Sequence, residues 1–471
     1  MRKLDPKRPE VQRLMELVKQ ERYSEATKII LEMLDEDPDD YMALFEMGNI
    51  LMKEQRKGLA YNILARAAKL YPEEPEIWLA YSQAHVDKPE NWGRIEWCLK
   101  KAIKLYKNQN RNPSVALANM AMLHYIKGDL SKAEEFCNLA LIKGKELSYV
   151  TTTKGFVHLA RGEWDKAWAL YDELLNRKQG RREQYQYGDT KLWDGTPGKR
   201  LVINGEQGVG DELMYASCVQ EAINDCEEVV IDCMPRLEGL FKRSFPEAHV
   251  YGQRWNKEVI WNEDHNPEFH IAMASLPRYY RHKDEDFPGK SYLIADQSQK
   301  RAVKGLLGDT GKPNIGIAWT GGSNKTRGFL RKRTLDELLP ILKHDVNWTS
   351  LEYHDRSEEI EEFTRKHQIQ IAQYPWLTGI GLDYDLTAAL IDELDLIISV
   401  PTSAVQMAGA LGKECWVLVP KYTGWIFYRE KYPWANSVKV FKNKPISDIV
   451  GELDKWLFKH SQTLNPLSLT G

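Results

Sequence analysis

Alanine returns at fixed intervals in the first third of the chain. Ala26, Ala60, Ala133 and Ala167 each precede an apolar helical face, at steps of 34, 73 and 34 residues, and Pro38 and Pro72 are also 34 apart. A chain with this period cannot bury its apolar faces one unit at a time, so it has to stack helix pairs into an extended array. The longer step fits one more unit with a short insertion at KNQNRNP, residues 107–113. Gly48, Ala60 and Ala67, then Ala121, Ala133 and Ala140, then Gly155 and Ala167 supply the small side chains that let two helices approach. The third unit, around Trp78, Tyr81 and Ala102, departs from this pattern in its second helix. Such an array is either a passive spacer or a concave binding surface. Tyr41, Tyr81, Asn119, His124 and His158 are candidates to line the surface, with ordinary packing as the alternative for each.

Past residue 175 the rhythm changes. Residues 176–199 are polar and rich in Gly and Arg, without apolar periodicity, and read as a linker. Short β-rich runs then alternate with helical ones: RLVING, EVVIDC, AHVYG and FHIAMA, followed by NIGIAW, WTSLEY, IQIAQ, LIISV and CWVLVP. This alternation implies parallel sheets in two doubly wound halves, 200–300 and 301–471, split by a helical connection near 298–312. The C-terminal helix over SDIVGELDKWLFKH is expected to pack on one of them. With 65 Lys+Arg against 68 Asp+Glu, the formal charge of −3 makes nucleic acid an unfavoured partner. The six cysteines have no CxxC pairing and mostly lie in apolar runs, which fits reduced core thiols and a cytoplasmic location. The charged start MRKLDPKRPEVQ lacks the apolar stretch of a signal peptide, and the most apolar region, 394–420, is broken by charges, so no membrane span is expected.

In open parallel sheets ligands bind beyond the carboxyl ends of the strands, which directs attention to four loops. The first is EQGVGDELMYAS, residues 206–217. Gly208 and Gly210 match the start of a dinucleotide fingerprint, but Leu213 stands where its third glycine belongs. The glycines let backbone approach a ligand, and Asp211 is placed either as a general base on an acceptor hydroxyl or as a helix N-cap. After LIISV, Thr402 or Ser403 either caps the next helix or leaves its N–H groups to meet a diphosphate. The loop 320–334 joins Gly321 and Gly322 to Lys325, Arg327, Arg331, Lys332 and Arg333, which suits a doubly charged leaving group or a solvated surface. Glu352 and Tyr353 close the strand WTSLEY within reach of a ribose or base edge.

The order of WDGTPGKRLVINGEQGVGD, GIAWTGG with KRT behind it, SLE, LTAALIDELDLIISVPTSAVQMAGALGKECWVLVP and GWIFYREKYPWANSVKVF resembles tetratricopeptide-repeat glycosyltransferases. The catalytic part is similar to the heptosyltransferase type, glycosyltransferase family nine, and more distantly to protein O-linked N-acetylglucosamine transferases. The resemblance implies a tetratricopeptide α-solenoid over 1–175 followed by a GT-B fold of two Rossmann-like halves, acceptor-side and then nucleotide-sugar-binding. It also implies an inverting, metal-independent transfer with a nucleotide sugar as co-substrate and no other cofactor. The acceptor is expected to be a protein or glycan recruited by the repeats. By position, Asp211 falls on the catalytic base, and Gly208, Gly210, Trp319, Lys325, Arg333, Glu352, Thr402, Ser403 and Gln406 fall on donor-binding positions. Two positions depart from relatives, which carry Asp-Thr and then His four residues later where this chain has Pro401, Thr402 and Gln406. Pro401 offers no carboxylate for donor hydroxyls, and Gln406 donates a hydrogen bond but carries no proton's charge. The alternative is a non-catalytic adaptor with a degenerate sugar-nucleotide domain.

Overall fold

The computed structural model describes residues 7–85, 88–143, 148–176, 182, 185–254, 259, 262–322, 328–379, 381 and 383–464. They form two compact units, Met1–Lys154 and Gly155–Gly471. The helices are α1 (Pro9–Lys19), α2 (Tyr23–Glu36), α3 (Tyr41–Lys53), α4 (Lys57–Leu70), α5 (Pro75–Ala84), α6 (Trp92–Asn108), α7 (Ser114–Ile126), α8 (Leu130–Lys143), α9 (Ser148–Arg161) and α10 (Trp164–Asp172). They are tetratricopeptide-type pairs, and in the first unit each packs on its neighbours in sequence. The division between the units falls inside α9.

The period has a backbone cause. The four spaced alanines are fully buried in second helices, and a Cβ on Gly48 would lie 2.6 Å from the Leu64 side chain. The turn inside a pair closes through a left-handed residue: Glu21 (φ 59°), Gln55 (φ 64°), Gly128 (φ 79°) and Gly162 (φ 77°). At each, the next N–H reaches back five residues, as from Arg56 to the Leu51 carbonyl at 2.8 Å and from Glu163 to that of His158 at 2.9 Å. The third pair departs because α5 and α6 are joined by a longer connection and α6 runs to Asn108, into the stretch expected as an insertion. Tyr41, His124 and His158 are buried, so packing accounts for them, while Tyr81 and Asn119 are half-buried.

The second unit contains two sheets whose strands all pair in parallel, with one isolated antiparallel bridge from Lys431 to Lys439 among the described residues. The first comprises β1 (Lys191–Leu192), β2 (Arg200–Asn204), β3 (Glu228–Asp232), β4 (His249–Tyr251) and β5 (Phe269–Ala272), in the order β1-β5-β2-β3-β4. The second comprises β6 (Asn314–Ala318), β7 (Asn347–Ser350), β8 (Ile371–Ala372), β9 (Leu396–Ser399), β10 (Cys415–Val419) and β11 (Val438–Lys442), in the order β11-β10-β9-β6-β7-β8. Strand order reverses between β2 and β5 and between β6 and β9, and a crevice opens at such a reversal. The strands are near-continuous apolar runs because helices cover both faces. Ile315, Ile317, Leu396, Ile398 and Trp416 anchor the second core, joined by Ile449 and Leu453 of the C-terminal helix. All six cysteines are unbridged, five of them buried. Among the described residues no helix is long and apolar enough to cross a membrane.

Among the described residues of the stretch read as a linker, two join the first sheet. Lys191–Leu192 pairs with β5, and the buried Arg182 guanidinium holds Glu206 at 2.7 Å and Asp172 at 2.7 Å. The last helix pair also belongs to this unit through α10. Trp164 donates to Asp284 at 2.8 Å and Trp168 to the Arg281 carbonyl at 2.7 Å, and the Trp168 ring meets Trp425 and Trp434.

Candidate functional site

β2 delivers the chain into EQGVGD at the first strand-order reversal. Glu206 is buried against Arg182, whose Nε and Nη2 both face it; burial works against the guanidinium's charge, and the Glu206 carboxylate overrides it and holds the arginine protonated. Gln207 follows at φ 62°, a left-handed conformation that costs a non-glycine residue roughly 1 kcal/mol or more. Its side-chain amide donates to the Tyr171 hydroxyl at 3.0 Å, and Arg254 fixes its carbonyl at 2.9 Å. The helix Val209–Tyr215 starts at once.

Asp211 is half-buried at the third position of that helix. Gly208 is the N-cap, and Asp211 reaches back so that its Oδ2 accepts the Gly208 N–H at 3.1 Å. Both readings of Asp211 are altered by this: it is not the N-cap, and its carboxylate is oriented by a reciprocal turn with Gly208. Burial, with the Asp211 charge contributing, pushes the Tyr171 hydroxyl up to about 12 and those of Tyr215 and Tyr432 well above their ordinary value. The next residue, Glu212, is fully buried beside Arg254, and burial pushes its carboxyl up to about 7.

The second sheet presents its own reversal. Thr402 is the N-cap of the helix Ser403–Leu411, and among the described residues its side chain makes no capping bond; its hydroxyl lies 3.1 Å from that of Ser399. The first-turn N–H groups therefore lack the side-chain acceptor that a Thr or Ser cap supplies, which is the arrangement an anion completes. Ser403 Oγ pairs with the Tyr384 hydroxyl at 2.8 Å. Gln406 is buried, and its Oε1 has no hydrogen-bond partner among the described residues. Gly321 packs so closely that a Cβ there would lie 2.5 Å from Thr402 Cγ2, and Arg331 donates to the Pro401 carbonyl at 3.1 Å.

Trp319 and Glu352 lie beneath this loop. Glu352 is buried; its Oε1 accepts from the Trp319 N–H at 2.8 Å and the Thr320 N–H at 2.7 Å, and its Oε2 accepts the Thr320 hydroxyl. Trp319 is fully buried, with Nε1 on Glu359 at 2.9 Å. Both of these residues, expected at donor-binding positions, engage their side chains in the turn after β6. Arg333 binds the Trp319 carbonyl through its own N–H at 2.8 Å and keeps a third of its side chain exposed, with Glu337 4.0 Å away. Lys325 and Arg327 lie outside the described residues.

The two reversals meet. A Cβ on Gly210 would sit 3.4 Å from Gln406 Oε1 and from Ser403, so the start of the Asp211 helix lies directly against the start of Ser403–Leu411. Arg243 pairs with Asp385, Arg236 stacks on Tyr384 at 4.2 Å, and Tyr292 donates to the Leu213 carbonyl at 2.7 Å, joining the two sheets' helices. Gly208, Gly210, Asp211, Thr402, Ser403 and Gln406, all read from sequence, thus lie about one junction between the two helix starts. Tyr171, Gln207 and Arg182 were missed: Tyr171 is hidden in the repeat pattern, and Arg182 lies in a stretch without periodicity.

No family model matches the chain. Protein FlbA of Caulobacter vibrioides is similar at 24% identity over 434 residues, covering 86% of this chain and 70% of that protein. A span of that size takes in both helix pairs and α/β sheets. Among solved structures, TTC0263, a thermophilic tetratricopeptide protein of Thermus thermophilus, is similar at 18% identity, covering 36% of this chain and 90% of its own with a TM-score of 0.32. PilW, a type IV pilus biogenesis factor, is similar at 16% identity, covering 46% and 85% with a TM-score of 0.34. Scores this low carry no weight for the architecture, which rests on the chain's own helix pairs and strand order.

Proposed function

We propose that the second unit is a GT-B glycosyltransferase that moves a sugar from a nucleotide-sugar donor to a hydroxyl with inversion. The observation that carries this reading is the approach of the Asp211 helix to the helix start at Thr402–Ser403. It puts a carboxylate on one side of a junction whose other side offers uncapped N–H groups and nearby arginines. In this reading the N–H groups of Ser403 and its neighbours, with Arg331 and Arg333 behind them, hold the diphosphate and stabilise it as it leaves. Asp211 removes the acceptor hydroxyl's proton as that oxygen attacks the anomeric carbon from the opposite face. Gln406 offers its amide to the donor, and Glu352 and Trp319 hold the loop that contacts it. The reaction draws on no metal in this scheme. The helix pairs hold a protein or glycan acceptor, the kind of ligand an extended array suits.

A panel of nucleotide sugars tested for thermal stabilisation and slow hydrolysis decides the matter. Stabilisation by one nucleotide family, with hydrolysis that depends on Asp211, is the expected result. Binding without any turnover identifies the adaptor instead, consistent with Pro401 and Gln406. Neither binding nor hydrolysis removes both readings.

A further inference from the structure

We propose that Glu228, His249 and His265 form a binding site for a late first-row divalent cation, of which Zn²⁺ is the best matched. Their ligand atoms all lie within 4.8 Å of one another. They come from three chain segments: Glu228 opens β3, His249 opens the edge strand β4, and His265 ends the helix Asn262–His265. Parallel pairing sets Val230 opposite His249, which leaves Glu228 at the rim of the sheet where the edge strand begins. His265 Nδ1 is 2.6 Å and His249 Nε2 3.3 Å from the same oxygen, Glu228 Oε1, and the two imidazole centroids are 4.3 Å apart.

The chemistry of this set is specific. Two imidazole nitrogens and one carboxylate are a borderline-soft donor set that suits Zn²⁺ and leaves a coordination position for water. Strand alternation brings Tyr251 to the same face as His249, and its hydroxyl lies 2.8 Å from His265 Nε2. With a cation bound, Nδ1 would give its lone pair to the metal in place of its contact with Glu228, and the Nε2 proton would be donated to the tyrosine oxygen, the outer-shell partner that metal-bound histidines have. The site lies at the amino ends of β3 and β4, the opposite end of the sheet from the Asp211 loop. It is therefore independent of the proposed transfer reaction. A cation there ties β3, the edge strand and the helix leading to β5 together.

The test uses the full chain without an affinity tag, stripped with chelator and titrated with ZnCl₂ by calorimetry and with Co²⁺ by visible absorption. One equivalent per chain is expected, with intense bands for the cobalt form. His249→Ala and Glu228→Gln should each weaken Zn²⁺ binding by at least about 10-fold, and Tyr251→Phe by roughly 10-fold as an outer-shell change does. His249 is half exposed, so its variant is expected to fold, checked by an unchanged melting temperature in chelator. Zn²⁺ should raise the melting temperature of the native chain and not that of His249→Ala. Absence of saturable binding overturns the site, as does equal affinity or an equal thermal shift in both single variants.

Discussion

Asparagine at position 211 isolates what the Asp211 carboxylate does chemically. The amide oxygen still accepts the Gly208 N–H that begins the helix, so the loop keeps its form while the basic oxygen is lost. Asp211→Asn should retain nucleotide-sugar affinity and lose roughly 10²- to 10⁴-fold in turnover, read from steady-state rates at saturating acceptor. Undiminished turnover would take the base role away from Asp211. A second carboxylate, Asp232, gives a pH signature. Burial pushes it up to about 6, although the Tyr187 hydroxyl at 2.7 Å and the Gln253 N–H at 3.2 Å both favour its charged form. The folded chain thus holds this proton to higher pH than the unfolded chain, whose carboxyl titrates near about 4. Its stabilising contribution is complete below about 4 and is lost as pH rises through about 6, amounting to roughly 2–3 kcal/mol. Asp232→Asn removes the titration; its amide oxygen keeps the Gln253 N–H contact, and its NH₂ group faces the Tyr187 hydroxyl oxygen as a donor. In urea unfolding, its stability relative to the native chain should rise by roughly 2–3 kcal/mol between pH 4 and pH 7. A difference that stays constant across that range would refute the assignment.

Elements show where sequence carries the fold and where it does not. Gly128 and Gly162 announce their turns because only glycine takes a positive φ without strain, whereas Glu21 and Gln55 adopt the same conformation and look like ordinary helix formers. Gln55→Gly should therefore stabilise the chain by about 0.5–1 kcal/mol, the relief of left-handed strain less glycine's extra chain entropy, measurable as a raised melting temperature. Destabilisation would mean that the Gln55 side chain contributes more than its backbone costs. Strand runs were legible because burial on both faces demands unbroken apolar residues. β1 was not, since two exposed residues joined to the sheet by hydrogen bonds leave no hydrophobic trace. The candidate site divides in the same way. Glycines and a Thr-Ser pair after strands can be read from spacing, but the burial that turns Glu352 and Trp319 into supports for the loop depends on contacts between β6 and β7 that spacing does not encode. Arg333, with its side chain part exposed above that support, should act through charge. Arg333→Ala is expected to weaken donor binding most at low salt, and equal affinity at low and high salt would leave it a solvated surface residue.

For the whole molecule, the decisive question is where the repeats end and the α/β region begins. The period of the alanines places the end of the array at about residue 175, but α10 belongs to the second unit through Trp164, Trp168 and Tyr171. Asp284 reinforces this attachment: the hydrogen bond from Arg429 holds it down at about 2, with Trp164 also donating to it. A chain that starts at residue 176 removes all three aromatics and uncovers Trp425, Trp434 and Phe287, a loss comparable with the roughly 3–5 kcal/mol that truncating a single buried Trp costs. It should aggregate or unfold. A chain that starts at Ser148 keeps α10 and its partners and should fold, with a melting transition and with the donor hydrolysis of the full chain intact. Because it lacks the first four helix pairs, it should fail in the proposed sugar transfer to an acceptor that, in the proposed function, those pairs hold. Comparing the two truncations separates folding from recruitment, which a single cut at residue 175 would confound. Full-rate transfer by the Ser148 chain would show that the helix pairs are a spacer, and equal solubility of the two chains would show that α10 adds nothing to the α/β region.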